Sequence, residues 1–133
     1  MTSDIRWIQR FNNFERALAL LKEAITIKTL TDLEIEGMIQ RFEYTFELAW
    51  KTLKDYLEEK GYTELVGSKE VIRQAFADGI ITEGEVWMDM VRARNLTTHI
   101  YNQQTANTIK DDIVKLYYAC FNQLYDYLKA KLA

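Results

Sequence analysis

Eight consecutive residues, 94–101, carry the side chains of this chain that are best suited to chemistry. They read RNLTTHIY, so Arg94, Asn95, His99 and Tyr101 fall close together, and His99 is the only histidine. An imidazole exchanges protons near neutral pH, and a guanidinium presents a rigid fork of donors to phosphate oxygens. Such side chains can hold or cleave a phosphodiester without a metal, so Arg94, His99 and Asn95 are our candidate catalytic residues.

Helical geometry sets a condition on this segment. On one straight helix Arg94 and Tyr101 lie about 20° apart, whereas Arg94 and His99 lie about 140° apart. Arg94 and His99 can therefore address one phosphate only if the backbone turns between them or a second chain supplies one of them. Thr97 and Thr98 are β-branched and can hydrogen-bond to the nearby backbone, so we predict that the helix loosens there.

Composition limits the classes of protein to consider. With 133 residues, 48% of them apolar and 28% charged, the chain is predicted to be a soluble single domain over residues 1–133. No apolar run approaches the roughly 18 residues that span a bilayer, and the N-terminus lacks a signal-peptide pattern, so we expect no membrane association. A single cysteine, Cys120, favours the reducing cytoplasm.

The charge of the chain argues against general nucleic-acid binding. The formal net charge is −3, whereas domains that bind nucleic acid are usually basic. Any contact with RNA or a nucleotide must then come from a local cluster of cations. The candidates are Arg92, which lies beside the motif, together with Lys69 and Arg73.

The elements that position these residues are predicted to be helices throughout. Apolar residues recur at steps of three and four in a first helix that begins near Ser3 or Asp4. A second helix begins at Thr31, which forms a capping box with Glu34, and ends at Gly61. Together they make a hairpin with its turn around residue 29.

Three further helices follow. Ser68 caps a short helix over residues 69–77, Thr82 and Glu85 form a capping box that starts a fourth helix towards Arg94, and Thr105 caps the last helix. No alternating strand pattern competes with this assignment. We therefore predict an all-α, up-and-down bundle of four long helices plus one short helix.

Nothing in the sequence indicates a metal or a cofactor. The only histidine has a leucine three residues before it, so the Glu-x-x-His pairs of a di-iron bundle are missing. There is no glycine-rich phosphate loop and no zinc spacing. Carboxylates four residues apart occur at Glu43 and Glu47 and at Glu85 and Asp89, and we interpret both pairs as solvated helix faces.

The motif and several other blocks resemble a known family. The spacing of Arg94 and His99 is similar to the Arg-x4–6-His motif of the HEPN superfamily, and with Tyr101 it resembles the narrower Arg-x4-His-x-Tyr pattern. Blocks at residues 41–54, 68–76 and 84–88 resemble the nucleotidyltransferase substrate-binding proteins of bacteria and archaea. Ala93 departs from this pattern, since many relatives carry a polar or acidic residue there.

The resemblance implies a homodimeric, HEPN-like bundle whose partner is a minimal nucleotidyltransferase encoded by a neighbouring gene. In one interpretation the protein is a toxin, a metal-independent endoribonuclease acting through Arg94, His99 and Asn95 at a homodimer cleft. The partner would silence it, in some members by transferring a nucleotide onto the motif tyrosine, here Tyr101.

Two other interpretations remain open. The protein could be a non-catalytic subunit that presents RNA or a nucleotide to the nucleotidyltransferase, or a helical scaffold with a vestigial motif. The aromatic residues of the second helix bear on the first of these. We interpret them as core and homodimer seam rather than as a docking surface for the partner; they are Phe42, Tyr44, Phe46 and Trp50.

Overall fold

The computed structural model describes residues 2–98 and 102–132, and every regular element in them is a helix. The helices are α1 (Thr2–Ile25), α2 (Asp32–Glu59), α3 (Ser68–Ala77), α4 (Gly84–Thr97), α5 (Gln103–Asp112) and α6 (Tyr118–Lys131), with a π-helical turn at Ile113–Tyr117. Helix α5, the π turn and α6 follow one another without a break and form one long rod. The predicted all-α bundle of four long helices and one short helix is confirmed.

The hairpin of α1 and α2 forms as the sequence predicts. The Glu34 backbone N–H donates to Thr31 Oγ1 at 3.2 Å, and the Thr31 backbone N–H donates to Glu34 Oε1 at 2.9 Å, which completes the capping box. Gly61 follows α2 with a φ of 103°, a conformation that glycine adopts at little cost. These two signals fix the ends of the longest helix, which carries 28 residues.

The first helix begins near Ser3 as predicted, but the caps predicted for α1 and α4 are wrong. Helix α1 already begins at Thr2, so Ser3 and Asp4 occupy helical positions instead of the extended cap position. Helix α4 follows Glu83, whose side chain makes no capping bond, and the predicted capping box of Thr82 and Glu85 is absent. The start of α4 therefore depends on tertiary packing rather than on its own capping residues.

The start of the last rod is also shifted. Asn102, not Thr105, caps α5, because Asn102 Oδ1 accepts hydrogen bonds from the backbone N–H groups of Gln104 at 2.7 Å and Thr105 at 3.2 Å. Helix α3 begins at Ser68 itself, after Gly67. In both cases the predicted capping residue lies inside the first turn.

An aromatic core holds α2 and α4 in a fixed relation. The rings of Phe46 on α2 and Trp87 on α4 lie 6.4 Å apart, and Phe42 stacks on Tyr117 at 5.3 Å. Phe42 and Phe46 are almost fully buried, which confirms their assignment to the core, whereas Tyr44 and Trp50 are half-buried. Because Arg94 lies two turns beyond Trp87 on α4, this packing directs Arg94 towards α2.

Candidate active site at the end of helix α4

Arg94 is held by two carboxylates of α2. Its Nη1 donates to Glu43 Oε2 at 3.1 Å, and its Nε lies 3.5 Å from Glu47 Oε1. The side chains of Arg94, Glu43 and Glu47 are 30%, 26% and 35% exposed. The interpretation of Glu43 and Glu47 as a solvated face is therefore wrong: their spacing of four residues places both on the side of α2 that faces Arg94.

Two nitrogens of the Arg94 guanidinium, Nε and Nη1, lie against carboxylates of α2, and the third, Nη2, has no hydrogen-bond partner among the described residues. Nε is buried and close to Glu47, although the alignment is that of an ion pair and not of a hydrogen bond. Nη1 is engaged by Glu43, while Nη2 makes no hydrogen bond with any residue that the structure describes. Nη2 therefore remains able to donate to a phosphate oxygen.

Helix α4 ends where the two threonines predict. It stops at Thr97, whose hydroxyl lies 2.6 Å from Glu43 Oε2 and 2.8 Å from the carbonyl oxygen of Arg94. The Thr98 hydroxyl donates to the carbonyl oxygen of Asn95 at 2.8 Å. The predicted loosening at Thr97 and Thr98, with hydrogen bonds to the local backbone, is confirmed.

His99 and Tyr101, the other two motif residues, lie outside the described residues. The described residues on either side of them share one cleft of about 510 Å³, because Thr97 and Asn102 both line it. Glu43 lines the same cleft, so it borders both the cleft and Arg94.

Asn95 and Arg92 are exposed residues of α4. Asn95 adjoins Arg94, and its side chain makes no hydrogen bond within the described part of the chain. Arg92 pairs with Asp89 and lines a cleft of about 470 Å³ that also contains Asp112. Desolvation, followed by the charges of Asp89 and Asp111, raises the pKa of Asp112. The ion pair with Asp89 therefore compensates part of the charge of Arg92.

Arg73 and Arg92 meet at a third cleft, of about 550 Å³, between α3 and α4. Lys69 lies one turn before Arg73 on α3, exposed like Arg73, and neither has an ion-pair partner among the described residues. Phe76 also lines this cleft and is 52% exposed, its ring lying against Gly84, where a Cβ would come within 3.0 Å of it. The predicted cations Arg73 and Arg92 thus flank an exposed aromatic ring that was not among the predicted site residues.

Sequence signals for the unpredicted residues existed but were ambiguous. Phe76 follows Arg73 by three residues and therefore shares its helix face. Glu43 and Glu47 show the spacing of neighbours on one face, but nothing local identifies Arg94, which is 51 residues after Glu43, as their partner. Only the packing of α2 against α4 brings them together.

Neither a metal-binding cluster nor a membrane span is found in the described residues. In residues 2–98 and 102–132, no group of three or more His, Cys, Asp or Glu side chains comes together that could hold a metal ion. None of the helices described is both long and apolar enough to cross a membrane.

Comparison with known proteins gives a family and several relatives. The family described as nucleotidyltransferase substrate binding protein like matches residues 9–130. A protein of Haemophilus influenzae, named probable ribonuclease HepT, is 33% identical over 82 residues, which cover 59% of this chain and 56% of that protein. The match thus spans little more than half the length of this curated relative.

Solved structures share the fold. A crystal structure of a Thermus thermophilus protein has 38% identity and a TM-score of 0.80, covering 86% of this chain and 98% of that one. A Haemophilus influenzae protein, described as the fold of a substrate binding domain of a nucleotidyltransferase, has 24% identity and a TM-score of 0.80 over 90% and 98%. A structure of the toxin–antitoxin pair MntA and HepT has 16% identity and a TM-score of 0.71 over 93% and 98%. The last two likenesses concern the fold alone.

Proposed function

Because the chain belongs to the nucleotidyltransferase substrate binding protein family, we propose that it is the HEPN-type partner of a minimal nucleotidyltransferase and that it is a toxin that cleaves RNA without a metal. The likeness to a probable ribonuclease HepT and the fold shared with the MntA–HepT pair support this proposal. The observation that carries it is Arg94, held on one side and open at Nη2, on a helix that ends just before His99.

RNA supplies the nucleophile for such a reaction. The 2′-oxygen bonds to phosphorus, the bond from phosphorus to the 5′-oxygen breaks, and the products are a cyclic phosphate and a free 5′-hydroxyl. One proton must leave the attacking hydroxyl and one must reach the departing oxygen. His99 transfers these protons, a contribution of about 10²–10⁴-fold in rate. Arg94 stabilises the charge on the phosphoryl oxygens, and Asn95 orients the imidazole or binds phosphate.

A homodimer would supply a second histidine. The chain has one histidine, whereas the reaction needs both a base and an acid, and two-fold symmetry brings two copies of the same segment together. Leu96 and Leu116 are 48% and 43% exposed and line the cleft beside Arg92. Their apolar surface close to the motif supports a contact with a second copy, which sedimentation analysis of the purified protein would detect.

The cations of α3 and α4 would guide the substrate. Lys69, Arg73 and Arg92 would contact RNA phosphates, and Phe76 offers a ring on which a base can stack. Tyr101 would accept a nucleotide from the partner. A bulky anion on this phenol next to the phosphate site would block RNA by charge and by size.

RNA cleavage in excess EDTA tests the proposal. Wild-type protein should cut, whereas Arg94→Ala and His99→Ala, shown by circular dichroism to be folded, should not. Incubation with the partner and a nucleoside triphosphate should add the mass of a nucleotide to the wild type and not to Tyr101→Phe. Cleavage by all variants, or only with added metal, would refute the metal-free mechanism.

A second function is favoured by one observation. The cleft between α3 and α4 combines two arginines and the exposed ring of Phe76 with the carboxylates of Glu85 and Asp89, and the ring and the arginines offer contacts for the base and the phosphates of a nucleotide. In that case the protein presents RNA or a nucleotide to the nucleotidyltransferase. Absence of cleavage by the unmodified wild type, together with loss of nucleotide binding in Phe76→Ala, would select this function.

A further inference from the structure

Glu43 of α2 contacts both Arg94 and Thr97, the residue at which α4 ends. One of its oxygens, Oε2, accepts from Arg94 Nη1 at 3.1 Å and from the Thr97 hydroxyl at 2.6 Å. Arg94 lies in the last turn of α4, and Thr97 is its final residue. A single carboxylate oxygen of α2 therefore fixes both the guanidinium and the point at which the chain leaves α4 towards His99.

From this geometry we infer that Glu43 is a positioning residue for the reaction, which sets where Arg94 presents Nη2 at the end of α4. The inference rests on the proposed function of Arg94. Glu43 need not touch RNA, since it acts through Arg94 and Thr97. The cost of losing such alignment is large, because a displacement of about 1 Å can lower a rate by about 10²-fold.

The state of Arg94 Nη2 indicates that Glu43 positions Arg94 for substrate and does not keep it away from substrate. An arginine kept away from substrate would have its outer nitrogens occupied, whereas Nη2 makes no hydrogen bond with the described residues. The second carboxylate, Glu47, contacts other residues besides Arg94. Glu47 Oε2 accepts from Trp50 Nε1 at 3.2 Å and lies 3.8 Å from Lys51 Nζ. With Lys51 included, the two carboxylates face two cations, and the group carries no net charge.

The same helix provides a matched control. Glu36 lies two turns before Glu43 on α2 and lines the same cleft, but it is exposed and makes no ion pair with a described residue. Glu36→Gln and Glu43→Gln remove the same charge from nearly the same helix face. Only the second should affect Arg94.

The test measures the arginine and the reaction separately. In the NMR spectrum, the Nη–H signals of Arg94, identified by their loss in Arg94→Lys, should exchange with water about tenfold faster in Glu43→Gln than in wild type or Glu36→Gln, as expected for loss of the charge-assisted bond from Nη1 to Glu43. In RNA cleavage with EDTA, kcat of Glu43→Gln should fall by about 10- to 100-fold. KM should stay within about twofold, because the lost interaction acts on the transition state and not on uniform binding.

Each other outcome has a definite meaning. Unchanged exchange in Glu43→Gln would overturn the inference, and so would a kcat equal to or above that of the wild type, which would mark a structural or inhibitory contact. A lower melting temperature with unchanged kcat per folded molecule would also overturn it. If the wild type does not cleave RNA, the proposed function fails, and the exchange of the Arg94 Nη–H protons still decides whether Glu43 holds Arg94.

Discussion

Arg10 and Arg94 both reach from other helices to carboxylates of α2, and they differ in what surrounds them. Arg10 of α1 donates through Nε to Asp55 Oδ2 at 2.7 Å, and the Asp55 side chain is only 6% exposed. Arg94 of α4 contacts Glu43 and Glu47, which are each about a quarter to a third exposed. Both pairs are partly buried, and the second stands beside a cleft and the end of α4.

We propose that the contact of Arg10 serves stability and that the contact of Arg94 serves function. Asp55 lies among the aromatic residues of the hairpin, next to Tyr56, whose ring meets that of Trp7 at 5.2 Å. Its charge is removed from water and must be compensated by Arg10, as a buried ion requires. Arg94 contacts two carboxylates, of which Glu47 is shared with Lys51, and its Nη2 makes no hydrogen bond with the described residues. Arg10 therefore joins α1 to α2, whereas we propose that Nη2 of Arg94 binds a further anion, the phosphate of RNA.

The largest effect on the cleavage rate is expected from a substitution that keeps the positive charge at position 94 but replaces the planar guanidinium. Arg94→Lys provides one ammonium group, which cannot contact Glu43 and a phosphate with separate nitrogens. RNA cleavage should fall by about 10²-fold, in the range found for loss of one donor to a transition state. Arg6→Lys, at an exposed arginine of α1 outside this contact, is the control and should change the rate by less than about threefold. Equal losses of cleavage rate in the two variants would mean that Arg94 has no special role in the reaction.

A smaller effect, on stability alone, is expected at the other arginine. Arg10→Ala leaves the buried carboxylate of Asp55 without its partner and should lower the free energy of unfolding by about 2 kcal/mol, because partial exposure of Arg10 lets water replace part of the contact. Urea denaturation measures this change. The cleavage rate per folded molecule should stay at the wild-type value, and a large loss of activity would make Arg10 part of the site.

The smallest effect is expected at the hydroxyl of Thr97. Thr97→Val keeps the shape of the side chain but removes the donor to Glu43, while Arg94 still holds that carboxylate. We expect a decrease of about threefold in kcat and less than about 1 kcal/mol in stability. Thr98→Val, which removes only a bond to the carbonyl oxygen of Asn95, serves as the control. A loss in Thr97→Val as large as in Arg94→Lys would mean that the helix end, and not Arg94, dominates the site.

The fold could be predicted because its signals are local. The capping box of Thr31 and Glu34 and the left-handed Gly61 fix the ends of α2, and the steps of three and four in apolar residues identify the faces that pack. The helix starts that failed, such as the cap assigned to Thr105, failed because several polar residues in a row can cap and the choice depends on packing. Asn102 precedes Thr105 by three residues and takes its place.

The site could be predicted only in part, because its key contact is not local. The types and spacing of Arg94 and His99 identify a candidate from the sequence, and Thr97 with Thr98 locates the helix end. The carboxylates that hold Arg94 belong to a helix far earlier in the chain, so their partner follows from the packing of Phe46 on Trp87. Ala93, beside Arg94, stands where many relatives carry a polar or acidic residue, and the fold supplies two carboxylates to Arg94 from α2.

One measurement tests the contrast between the two arginines most directly. The rate of RNA cleavage in excess EDTA, per folded molecule, is compared for wild type, Arg94→Ala and Arg10→Ala, alongside their urea midpoints. We predict that Arg94→Ala loses at least about a hundredfold in rate with a nearly unchanged midpoint, and that Arg10→Ala cleaves at the wild-type rate with a lower midpoint. Wild-type cleavage by Arg94→Ala, or parallel losses of rate in both variants, would contradict the assignment of Arg94 as the functional arginine.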